Sequence, residues 1–160
     1  MAGRRVLSRK AREERLLMAD AEYLRIIKEG VALWNQTRQM YPGEKPDLSG
    51  VVLHDVELPG VDFSGTNLYN ADLQRADLSR ANLEEANLAE ANLRGADLWR
   101  ANLRGANLSS ANLQGAILAS ASLNRARLGG ADLRGAILVD ANLTNADMEG
   151  AITKGLRLMR

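Results

Sequence analysis

From Pro46 onward the chain repeats one pattern: a small apolar residue, a polar one, a leucine and two further polar residues, as in ANLEEANLAEANLRGADLWR over 81–100. Counted in fives from Pro46, 21 units run without a gap to Gly150. The middle residue of each unit is Leu at 48, 53, 58 and 68 and at every fifth position to Leu143, with Phe63 and Met148 as the exceptions. Two residues before each centre stands Ala, from Ala71 to Ala151, preceded in the earlier units by Pro46, Val51, Val56, Val61 and Thr66.

A period of five suits no regular element. On an α-helix a five-residue step turns the leucines by about 140° beyond a full rotation, so no buried stripe forms. On a strand an odd period sends each successive Leu to the opposite face unless the chain turns once per unit. One turn per unit is therefore predicted. Ala and the central Leu then point inward, the residue between them points outward, and Asn, Asp, Ser, Gly and Arg occupy the outward and corner positions. Successive coils of such a chain stack by backbone hydrogen bonds at about 4.8 Å.

The stretch ADLQRADLSRANLEEANL over 71–88 resembles the pentapeptide-repeat proteins. The resemblance implies an all-β solenoid, a right-handed quadrilateral β-helix with four units per coil, hence about five coils rising about 25 Å over residues 46–160. Residues 20 apart become neighbours on one side of it. The resemblance is specific for the fold and much less so for function.

Residues 1–45 form a second part, a basic tail and an amphipathic helix. Leu17, Leu24, Ile27, Val31 and Trp34 recur at helical spacing with charges between them, so a helix is predicted from about 9 to 40, with Gly30 as a kink or a close approach. YPGEKPD over 41–47 is a turn into the first coil. A stack of coils has open backbone edges at both ends, and the helix is expected to cap the N-terminal one; a membrane-surface or partner helix is the alternative. The bulky Val51, Val52, Val56, Val61 and Phe63 fit the cap. The segment EYLRIIKEGVALWNQTRQMYPGEKPDLSG over 22–50 also resembles the helical lead-in of some family members. No helix follows the last coil, and the resemblance suggests a homodimer through it, with Ile152, Leu156, Leu158 and Met159 as apolar contacts.

Composition narrows the chemistry. Apolar residues make up 46% of the 160 and aromatic ones 4%, so the core is built from small aliphatic groups. There is no cysteine, which removes disulfides, thiolate metal sites and thiol nucleophiles. No long apolar run or signal peptide is present, so a cytoplasmic location is expected, with no membrane span. Residues 1–45 hold ten Lys/Arg and six Asp/Glu, and 46–160 hold eleven and fourteen. Neither balance argues for binding nucleic acid.

The sole histidine, His54, falls just after a centre and is expected in solvent. Serine has no companion histidine for a Ser/His/Asp arrangement, no phosphate or dinucleotide loop occurs, and Glu84 with Glu85 reads as a solvated corner. No cofactor, metal or catalytic residue is assigned, and the packed interior leaves no cleft for an enzyme. With four units per coil, Glu57, Asp77, Asp97, Ile117 and Ile137 form one outward column. Its three carboxylates suit a hard cation such as Ca²⁺, while Arg80 and Arg100 at the neighbouring corner are placed to neutralise them. The adjacent column reads Pro59, Ser79, Trp99, Ala119, Val139 and Met159. Trp99, Ile117, Ala119, Ile137 and Val139 thus form an outward apolar patch, the candidate surface for a protein partner or for the N-terminal helix. The side bearing Gln74, Arg94, Gln114, Arg134 and Lys154 is polar and solvated.

The expected function is a non-enzymatic protein-interaction or scaffold module on a rigid β-helix, its partner unidentified. The alternative follows from the resemblance: quinolone-resistance members of the family bind DNA gyrase or topoisomerase as DNA mimics. Arg75, Arg94, Arg100, Arg104, Arg125, Arg127 and Arg134 interrupt the acids here, which weighs against that mimicry.

Overall fold

Each unit ends in a tight turn whose geometry is the same throughout. The first N–H of the next unit donates to the central carbonyl, as from Val51 to Leu48 at 3.1 Å and from Ala106 to Leu103 at 3.0 Å. The last residue of every unit from Gly50 to Gly155 has positive φ, the signature of a type II turn. Twelve of these positions carry a side chain, among them Arg75, Glu85 and Ser120, where the left-handed region costs roughly 1 kcal/mol each. Local preference therefore does not hold these corners. The stacking around them does.

The computed structural model describes residues 22–158. Over 47–157, every outward residue between Ala and Leu forms a parallel bridge with the residue 20 positions on, from Asp47 with Asn67 to Ile137 with Arg157. Four units thus complete one layer before the chain passes over itself. Three backbone bonds join each unit to the one above. For 61–65 under 81–85, Phe63 N–H donates to Asn82 O at 2.8 Å, Asn82 N–H to Val61 O at 2.9 Å, and Gly65 N–H to Glu84 O at 2.8 Å.

Ala and Leu fill the interior, as the spacing requires. Every such pair from Ala71 to Leu138 is at most 1% exposed. Burying each leucine contributes about 1.5–3 kcal/mol, so this column outweighs any single surface contact. Beyond it burial fades: Leu143 and Met148 are half-buried and Thr153 is exposed.

Among the described residues, two helical segments precede the first unit: α1, described over 22–29, and α2, Val31–Met40. The single helix expected to residue 40 is broken at Gly30, whose φ of 124° no L-residue adopts easily. A Cβ there would meet nothing within 4 Å, so Gly30 is a kink and not a close approach. Ile26, Ile27 and Trp34 are buried, with Leu24 and Val31 packed against them, whereas Leu17 lies outside the described residues. Trp34 meets Phe63 edge-on at 5.4 Å and Tyr23 at 5.8 Å between ring centroids. In the first layer Leu48, Leu53, Leu58, Val61 and Phe63 are all buried. Val52 is the exception to the bulky set assigned to this contact. At 61% exposed it points outward, because it sits between the two inward residues Val51 and Leu53.

Candidate interaction surface

The outward residues fall into four columns, and three of them carry amide ladders. Asn67 Nδ2 donates to Asp47 Oδ1, Asn87 Nδ2 to Asn67 Oδ1 and Asn107 Nδ2 to Asn87 Oδ1, at 2.9–3.0 Å. Asn92 and Asn112 continue from Asp72, and Asn82 and Asn102 from Asp62, at 3.1–3.2 Å. The same Oδ1 atoms accept the N–H two residues on, as Asn107 does from Ser109 at 3.2 Å. The side chain between Ala and Leu thus closes its own turn and ties neighbouring layers.

The fourth column departs from this. It runs Glu57, Asp77, Asp97, Ile117, Ile137, Arg157. Asp77 and Asp97 close their turns by accepting from Ser79 and Trp99 N–H, both at 2.9 Å. Ile117 and Ile137 have no polar atom with which to do so. Ile117 is 37% exposed, while Ile137, Ala119, Val139 and Trp99 are each half-buried. Trp99 is not bare: the Arg100 guanidinium lies 4.4 Å from its ring centroid and that of Arg80 5.1 Å. Both arginines, expected to neutralise the acidic column, flank the indole instead. Each such cation–π contact contributes about 0.5–1 kcal/mol at an exposed site. The surface is therefore an apolar strip with a clamped tryptophan at one end and carboxylates beneath it.

Among the described residues, no group of three or more His, Asp or Glu side chains is gathered closely enough to hold a metal ion. His54 is exposed and its Nδ1 lies 2.9 Å from Asp55 Oδ2. Arg75 donates from Nε and Nη2 to the same carboxylate, and these bonds, with that of His54, lower its pKa to about 2. Asp132, bonded by Arg134 and also by Gln114, is likewise lowered to about 2. Gln74, Arg94, Arg134 and Lys154 lie on the polar side, half-buried or exposed. A cavity of about 400 Å³ beside α2 is lined by Arg38, Lys45, Glu44, Glu84 and Glu85, whose charges are of mixed sign.

At the C-terminal end Ile152 and Leu158 are 48% and 52% exposed, and Leu156 is half-buried. Met159 lies outside the described residues. No helix among the described residues is long and apolar enough to cross a membrane.

Two side chains not singled out by the sequence matter at the other end. Asn35 Oδ1 accepts Asp62 N–H at 2.8 Å, and Arg38, 8% exposed, donates to Ser64 O at 2.6 Å and to Glu44 O at 2.7 Å. Asn35 lies off the apolar stripe of α2, so periodicity assigns it to solvent; Arg38 lies on the stripe, seven residues after Val31, where its charge conceals a buried position. Their one sequence signal is position, one and four residues after Trp34.

The family model for pentapeptide repeats matches residues 47–84, 81–118 and 116–152. No curated protein matches the sequence. Among solved structures, HetL, a pentapeptide repeat protein involved in heterocyst differentiation regulation in the cyanobacterium Nostoc, is 29% identical over 71% of this chain and 75% of its own, with a TM-score of 0.42. A pentapeptide repeat protein of the cyanobacterium Cyanothece is 33% identical over 78% of this chain and 97% of its own, with a TM-score of 0.37. Full-length QnrB1, a plasmid-mediated fluoroquinolone resistance protein, is 21% identical over 72% and 84%, with a TM-score of 0.24. The unbroken register of the repeat and the family match over most of its length lead to one statement: this chain belongs to the pentapeptide-repeat family, whose fold is a right-handed β-helix solenoid.

Proposed function

We propose that this protein is a non-enzymatic interaction or scaffold module, a cytoplasmic rod of about five coils capped at its N-terminal end by α1 and α2. The observation that carries this reading is the stacked pair Ile117 and Ile137, apolar residues in outward columns that are otherwise polar over 57–147. Asparagine at the equivalent sites of the other columns forms hydrogen bonds that fix the corners and join the lower layers, whereas isoleucine on an outward column adds nothing to the core. Stacked apolar side chains on one outward side, where the other three sides stay polar over 57–147, suit a contact outside the chain. Trp99, Ile117, Ala119, Ile137 and Val139 supply the apolar centre of a protein-binding surface, and the clamped indole supplies a rigid anchor.

The test compares capture of partners from native extract by the wild type and by the full-length Trp99→Ser/Ile137→Asn variant. A partner lost by the variant, with its circular dichroism unchanged, supports the surface. Retention of every captured protein removes it. The half-buried and exposed apolar residues Ile152, Leu156 and Leu158 at the C-terminal end provide a second contact, for a homodimer, to which Met159 in the following sequence is assigned as well. A monomer by light scattering at micromolar concentration excludes that contact. A DNA-like role on gyrase has no comparable support, because Arg94, Arg100, Arg104 and Arg134 are exposed among the acids. Absence of inhibition in a supercoiling assay is the expected result.

A further inference from the structure

Side chains of α2 reproduce a rung that the backbone lacks. Within the stack each unit is tied to the one beneath it by three bonds: one to its outward carbonyl, one from its outward N–H, and one to the carbonyl just after its centre. Residues 61–65 have no bridged unit beneath them among the described residues. The same three positions are filled from α2. Trp34 Nε1–H donates to Asp62 O at 2.7 Å, Asp62 N–H donates to Asn35 Oδ1 at 2.8 Å, and Arg38 Nη2–H donates to Ser64 O at 2.6 Å. Asn35 Nδ2 adds a fourth bond, to Gly60 O at 2.9 Å.

The opposite end carries the reciprocal set, unfilled. The N–H groups of Leu143, Asn145, Met148, Gly150 and Thr153 donate to nothing among the described residues, and the carbonyls of Ala141, Ala146 and Ala151 accept nothing. In every earlier layer these are the atoms that bond upward. The two ends are cut faces of one 20-residue repeat, so their donors and acceptors match in number, spacing and direction. Unpaired ladders of this kind are templates for another chain.

We propose that the N-terminal edge is a latent docking site for the C-terminal edge of a second copy of this chain, and that Trp34, Asn35 and Arg38 block it on its 61–65 side by imitating the missing rung there. A head-to-tail contact does not close on itself, so its product is a filament. The side chains of α2 therefore set the protein to a finite size. This holds whether or not a partner docks beside Trp99, whereas pairing of two C-terminal ends occupies the same edge and competes with it.

The experiment uses the full-length chain. Sedimentation velocity over a wide concentration range compares the wild type with Trp34→Ala/Asn35→Ala/Arg38→Ala, and with that variant carrying Met148→Lys/Thr153→Lys at the far edge. The wild type is expected to hold one size. The triple variant is expected to grow continuously in mass with concentration while keeping its circular dichroism, and the edge lysines to restore finite size. Growth that persists with the lysines in place, or a folded triple variant that stays at wild-type size, overturns the proposal. Asn35→Ala alone removes one rung bond and the bond to Gly60 O without opening a cavity and is expected to grow only at higher concentration. Should the triple variant unfold, a single variant of wild-type size at every concentration overturns it too.

Discussion

Asn102 Nδ2 donates to Asn82 Oδ1 at 3.1 Å, and the same oxygen accepts Glu84 N–H at 3.3 Å. One amide oxygen thus closes its own corner and ties down the layer above. Asn87 does the same, accepting from Asn107 and Ala89 and donating to Asn67. Asn87→Ala removes all three bonds and is expected to destabilise the fold by roughly 1–3 kcal/mol, read from urea unfolding. Ile117→Asn is expected to act in the other direction, by roughly 0.5–1.5 kcal/mol, because Asp97 Oδ1 lies beneath it as an acceptor. A loss of stability in that variant argues that the isoleucine is there for packing.

The interior predicts a gradient along the rod. Leu108 is fully buried between layers above and below, and Leu108→Ala is expected to cost about 2–5 kcal/mol. Leu143, half-buried in the last described layer, is expected to lose less than half as much on the same change. Equal losses at the two sites point to a cover over the C-terminal end, and comparison of denaturation midpoints decides it.

Corner strain is open to the same measurement. Ser120 holds φ at 58° and its side chain forms no hydrogen bond among the described residues. Ser120→Gly relieves the left-handed strain of about 1 kcal/mol but gives the unfolded chain more freedom, so a net gain of a few tenths of a kcal/mol is expected. A fall in melting temperature contradicts this.

Acid should weaken the fold in a defined window. Asp55 is held at about 2 by Arg75 and then His54, and Asp132 at about 2 by Arg134 first. A carboxylate with a lowered folded pKa stabilises the protein fully above its unfolded value, near about 3.9, and loses that contribution as pH falls through about 2. Melting temperature is therefore expected to hold from neutral pH to about 5 and to fall between about 4 and 2. The Asp55→Asn and Asp132→Asn variants flatten that fall, and added salt shrinks the difference, since both ion pairs are exposed.

Much of this fold is legible in the sequence because the five-residue register repeats a physical instruction. Ala-x-Leu with a polar pair demands one turn per unit, and the buried Ala and Leu columns follow it. The apolar column at Ile117 and Ile137 is likewise readable once residues 20 apart are neighbours. What surrounds Trp99 is not. Arg80 and Arg100 could have reached Asp77 and Asp97 or the indole, and only the direction of the corner side chains puts them on the ring. Nor does the helical stripe reveal the roles of Asn35, beside the stripe, and Arg38, a charged residue within it, because a period of 3.6 says nothing of which polar group meets an unpaired backbone atom.

By itself, then, the sequence determined the repeating element, its inward and outward residues and the apolar pair Ile117 and Ile137 in one outward column, since each depends on spacing along the chain. Tertiary structure decided how the stack begins. Three side chains of α2 meet Asp62 and Ser64, 26–28 residues away in sequence, because that edge is where backbone bonds go unmet and burial there is costly without a partner.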